Sequence, residues 1–123
     1  MQHIDKLIEI AKRKSNFDEN NSWYQGSSTY LVEIKKEVDE VIEEIPKDRL
    51  CYLEDELADV LWDYLNAVLS LEKEKGINLD SIIERACRKY DERVTAIESG
   101  ISWDEVKEKQ KSELAREQSL QHT

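Results

Sequence analysis

The chain has 123 residues, 39% of them hydrophobic, with Gly 3 and Pro 1, where average usage would supply roughly nine glycines and six prolines. Such a shortage of turn residues excludes a many-stranded sandwich or barrel and commits the chain to an all-α fold. Asp+Glu 28 against Lys+Arg 18 gives a net charge of -10, which repels a phosphate backbone or an anionic membrane and excludes nucleic-acid and membrane partners.

Ile4, Leu7, Ile8 and Ala11 recur at helical spacing, so a first short helix is expected to about Lys14. The polar stretch from Ser15 to Ser28 reads as a long loop holding Trp23 and Tyr24. These two aromatics are either an anchor on the core or part of a ligand pocket. A second helix is expected from Ser28 to Ile45, with Leu31, Ile34, Val38, Val41, Ile42 and Ile45 on one stripe, stopped by Pro46. The third spans about Leu50 to Lys73, ahead of Gly76. The fourth runs from Asp80-Ser81 to Gly100, with Ile82, Ile83, Ala86, Tyr90, Val94 and Ile97 inward. Ser102-Trp103-Asp104-Glu105 has the form of a capping box for a final helix, and the sparse apolar residues beyond Val106 predict a frayed end. Residues 1–110 therefore read as one domain and residues 111–123 as a polar C-terminal tail.

No run approaches the roughly 18 apolar residues of a membrane span, and Met1-Gln2-His3-Ile4-Asp5 does not open a signal peptide, so a cytoplasmic protein is expected. Cys51 and Cys87, without Cys-x-x-Cys spacing, read as reduced, small apolar residues.

The third helix is apolar around most of its circumference, yet Glu56, Asp59 and Asp63 share one narrow strip, continued by Asn66 and Ser70. Unpaired carboxylates in such surroundings are costly, so a positive partner is expected. Glu33, Glu37, Glu40 and Glu44 form a second acidic strip on the preceding helix. Glu33 and Glu44 read as solvated. If the two helices close into a hairpin, Glu37 and Glu40 face Glu56 and Asp59 and together enclose a cation, and an oxygen-only ligand set suits Mg²⁺, with Mn²⁺ as a substitute. The histidines, His3 and His122, stand at the chain ends and supply no di-iron motif. The apolar excess of the third helix also predicts a homo-oligomer, at least a dimer and preferably a tetramer.

Glu37-Val38-Asp39-Glu40 and Glu56-Leu57-Ala58-Asp59 resemble the paired Glu-x-x-Glu and Glu-x-x-Asp motifs of the MazG nucleoside triphosphate pyrophosphohydrolases, of the all-α NTP pyrophosphatase superfamily. Asn66 stands where that family often has Asn, Lys89 and Arg93 are similar to its Lys-x-x-x-Arg, and Trp103 with Lys107 to its Trp-x-x-x-Lys. Trp23 resembles the Trp of a Cys-Pro-Trp segment. Departures are Lys36, where a Glu is common, and Cys87, where an Asn is frequent. The resemblance implies a helical bundle of four to five helices assembled as a dimer or tetramer. It also implies Mg²⁺-dependent hydrolysis of (deoxy)nucleoside triphosphates to the monophosphate and pyrophosphate, as nucleotide-pool house-cleaning. Glu37, Glu40, Glu56 and Asp59 would then be catalytic metal ligands, with Glu40 orienting or deprotonating the water. Lys89, Arg93, Trp103, Lys107, Asn66 and Trp23 would bind substrate. The competing reading is a non-catalytic acidic helical interaction module.

Overall fold

In a computed structural model describing residues 2–121, the chain forms five helices with no strand among the described residues. These are α1 (Gln2–Asp18), α2 (Ser27–Glu44), α3 (Leu50–Lys75), α4 (Leu79–Glu98) and α5 (Trp103–Gln121). The all-α expectation holds. None of the helices is long and apolar enough to cross a membrane. His122 lies outside the described residues. The chain divides into two compact units, Met1–Leu79 and Asp80–Thr123.

In the first unit α2 and α3 form an antiparallel hairpin. Pro46 ends α2 in a single 3-10 turn, Ile45–Lys47, and Asp48 adopts the left-handed region (φ 53°) to reverse the chain. At this end Arg49 returns a fork of two hydrogen bonds to Glu44, at 2.7 and 3.0 Å. Glu44, expected in solvent, is thus 5% exposed, because the turn folds a guanidinium over it. At the other end Glu74 of α3 accepts from the Ser27 backbone N–H (2.7 Å) and hydroxyl (2.8 Å), capping α2. Gly26 at the entry has φ 91°, and a Cβ there would lie 2.9 Å from the Glu74 carboxylate.

The first helix packs on α3 and continues past Lys14 to Asp18. Lys14 and Asp18, one turn apart, are ion-paired, and the buried Asp18 also accepts from the Tyr30 hydroxyl of α2, which holds the extra turn helical. The core of this unit is Ala11, Tyr30, Leu65, Ala67, Val68 and Leu69. In the single chain the buried residues of α3 lie in its second half, whereas Leu57 and Leu61 are exposed, as are Leu31, Val38 and Ile42 of α2.

In the second unit α4 ends on Gly100 (φ 86°), with Ile101 N–H bonded to Ala96 O (2.9 Å) and Gly100 N–H to Ile97 O (3.1 Å), a Schellman closure. Ser102 Oγ accepts from Glu105 N–H at 3.1 Å, the cap its sequence promised. The stretch expected to fray is helical to Gln121. Long side chains hold α5 to α4 instead of an apolar seam: Arg85 binds Glu117 at 2.7 and 3.2 Å, Lys109 binds Glu92 at 2.9 Å, and Gln110 Nε2 donates to Lys89 O at 2.9 Å. For the same reason Ile83, Tyr90, Val94 and Ile97, expected inward, are exposed. Cys51 and Cys87 are exposed as well.

Candidate metal centre

The hairpin sets the acidic strip of α2 against that of α3. Oxygens of Glu37, Glu56 and Asp59 all lie within 4.8 Å of one another. Glu40, the fourth expected ligand, stands outside that trio and is exposed, within hydrogen-bond reach of both Glu37 and Glu56. Among the described residues no Lys or Arg forms an ion pair with any of the four. The electrostatic consequence is the same for Glu37, Glu56 and Asp59. Burial, then the Glu40 contact and the charges of Glu40, Asp59 and Asp63, push the Glu37 carboxyl up to about 7. Glu56 is raised first by its contact with Glu40, and Asp59 first by burial and then by Asp55 and Glu40. Clustered anions each oppose ionisation of the next.

A divalent cation fits this arrangement. Glu37 Oε2 and Glu56 Oε2 are buried with no hydrogen-bond partner, and an orphaned carboxylate oxygen facing other carboxylates calls for positive charge. The donors are all oxygen, with no histidine or thiol in the group, the set that hard ions such as Mg²⁺ or Mn²⁺ favour.

Farther along the same face of α3 lie Asp63, 6% exposed, and Asn66, 1% exposed. Asn66 Nδ2 donates to Trp62 O at 2.9 Å, while Asn66 Oδ1 and Asp63 Oδ2 have no partner. Burial and the charges of Glu33 and Asp59 push Asp63 up to about 6. Asp63 is the residue the motifs passed over. Its signal was present in its spacing of four from Asp59.

Beyond it, Ser70 accepts from the Tyr24 hydroxyl at 2.8 Å, and Tyr24 and Trp23 flank Tyr30, with ring centroids 6.1 and 5.6 Å away. Tyr24 is thus the anchor, whereas Trp23 stays 49% exposed with Lys14 Nζ 5.1 Å from its ring. Burial and Asp18 hold the Tyr30 hydroxyl above the ordinary phenol range. The Lys14–Asp18–Tyr30 network was not foreseen, since only the Lys14/Asp18 spacing hinted at it.

The remaining expected residues belong to the second unit. Arg93 is buried, donates from Nε to Gln110 Oε1 at 2.7 Å and stacks near Trp103 and Tyr90, at 5.1 and 5.4 Å. Lys89 lies 5.4 Å from the Tyr90 ring, and Lys107 is exposed on α5.

A family model, the MazG nucleotide pyrophosphohydrolase domain, matches residues 25–97, more than half of the chain and all of the α2–α3 hairpin. No curated protein and no solved structure matches the chain.

Proposed function

The chain belongs to the MazG nucleotide pyrophosphohydrolase family, and on that premise we propose that it hydrolyses (deoxy)nucleoside triphosphates to the monophosphate and pyrophosphate. The observation that carries this reading is the convergence of Glu37, Glu56 and Asp59 within 4.8 Å, unpaired by any Lys or Arg among the described residues. Glu37, Glu40, Glu56 and Asp59 would hold Mg²⁺, or Mn²⁺ in its place. When bound, the ion supplies positive charge for the triphosphate and lowers the pKa of water.

The side chains do the rest. Attack of a water oxygen on the α-phosphorus breaks the bond to the bridging oxygen of the β-phosphate, and pyrophosphate departs with that oxygen. Glu40, exposed beside Glu37 and Glu56, orients the water and takes its proton. Trp23 offers a half-exposed indole face for a base, and Asn66 an unpartnered carbonyl oxygen. Lys89, Arg93, Trp103 and Lys107 are assigned to substrate on the motif match alone.

The setting we propose is cytoplasmic house-cleaning of nucleotide pools by a homo-oligomer, dimer or tetramer. Supporting assembly, Leu31, Val38, Ile42, Leu57 and Leu61 are exposed on the single chain, more apolar surface than isolated exposed residues account for. Pyrophosphate release over a panel of ribo- and deoxynucleoside triphosphates, with Mg²⁺ and with EDTA, tests the activity. Release that requires the metal is expected; none with any nucleotide would leave the acidic interaction module as the better reading.

A further inference from the structure

The face of α3 carries three chemically distinct levels. Glu56 and Asp59 stand with the carboxylate cluster, Asp63 and Asn66 follow one to two turns on, and Ser70 lies at the level of Tyr24, with Tyr30 and Trp23 beyond. Asp63 lies between the outer two, near enough for its charge to bear on both Glu37 and the Tyr30 hydroxyl. Each helical turn advances about 5.4 Å, so phosphate-binding, middle and aromatic levels succeed one another as phosphate, sugar and base do in a nucleotide.

The middle level is short of donors. Asp63 Oδ2 and Asn66 Oδ1, spaced three residues apart and therefore neighbours on the helix, are both buried acceptors without a partner. Buried acceptors left unmet cost free energy that a ligand's donors recover. A single hydroxyl satisfies one of them; two need adjacent donors. Base amino groups belong at the aromatic level, beyond this pair. We infer that Asp63 and Asn66 form a subsite for the vicinal 2′- and 3′-hydroxyls of ribose, so that the chain prefers ribonucleoside triphosphates to their deoxy counterparts. This inference rests on the pyrophosphohydrolase reading and names its substrate class.

The test compares kcat/KM for ribo-, 2′-deoxy- and 3′-deoxynucleoside triphosphates carrying the same base, in wild type, Asp63→Ala and Asp63→Asn. Wild type should favour ribose by about tenfold or more, the loss expected when a hydrogen bond to a charged group is forfeited. Asp63→Ala should bring the ribose-to-deoxy ratio near one. Calorimetric binding of the ribo- and deoxynucleoside monophosphates to wild-type protein in EDTA gives a second readout, independent of turnover and of variant folding, and should rank them in the same order. Equal use of both sugars, a deoxy preference, or a ratio unmoved in a folded Asp63→Ala protein would overturn the subsite while leaving the activity standing. No hydrolysis of any nucleotide would overturn both.

Discussion

Replacing Asp63 by asparagine should stabilise the metal-free protein, and the size of the effect follows from its surroundings. The carboxyl is 6% exposed, one of its oxygens has no partner, and its neighbours are the acids Glu33 and Asp59. Its pKa rises from 3.8 to about 6, and at 1.36 kcal/mol per unit an ionised Asp63 costs the fold up to about 3 kcal/mol. The asparagine amide must itself be satisfied in the same place, so a net gain of about 1–2 kcal/mol is expected. The sign with pH is fixed by linkage. Between pH 3.8 and about 6 the native state keeps a proton that the unfolded state has released, so wild-type stability falls as pH rises through that window and stays low above it. Asparagine does not titrate. The advantage of the variant should therefore be small near pH 4, open through pH 6 and level off by pH 8. At about 4 °C per kcal/mol for a domain of this size, melting in EDTA should show a plateau gain of several degrees. Loss of the low-lying carboxylates Glu44, Glu74, Glu92 and Glu117 on acidification affects both proteins alike and cancels in the difference. A variant less stable than wild type at pH 8 would mean that Asp63 has a favourable partner for its charge, and a difference independent of pH would mean that its pKa is not raised; either result would refute the reasoning.

Asp59→Asn should abolish pyrophosphate release while leaving metal-free stability unchanged or raised, since burial and neighbouring acids already disfavour its charge; wild-type turnover would remove Asp59 from the site. Millimolar Mg²⁺ should raise the melting temperature relative to EDTA, and by more at pH 8 than at pH 5, because a Glu37 that titrates near 7 holds a competing proton in acid. Identical midpoints at both pH values would count against a carboxylate metal centre. Light scattering after size exclusion should give a dimer or tetramer at micromolar concentration, and a single species at the 14.5 kDa chain mass would rule assembly out.

What the sequence determined by itself is what local periodicity and backbone chemistry carry. The scarcity of glycine and proline decided the helical class, Pro46 and Gly76 placed two helix ends, and the spacing of Glu37, Glu56 and Asp59 put each on a face that a hairpin brings together. These are one-dimensional properties: a turn of helix fixes which residues share a face whatever lies opposite. What lies opposite was decided by the tertiary structure. Glu44 is buried because the turn at Asp48 returns Arg49 to it, and α1 runs on to Asp18 because Tyr30, on another helix, completes that carboxylate's hydrogen bonds. The apolar faces of α2 and α4 look equally core-like as patterns, yet much of both remains exposed in the single chain. Likewise α5, poor in apolar residues, is held by Arg85 and Lys109 reaching Glu117 and Glu92. Periodicity shows that a face is apolar or acidic, but burial, ion pairing and the orphaned oxygens of Asp63 and Asn66 depend on the element that packs against it, which no spacing along the chain encodes.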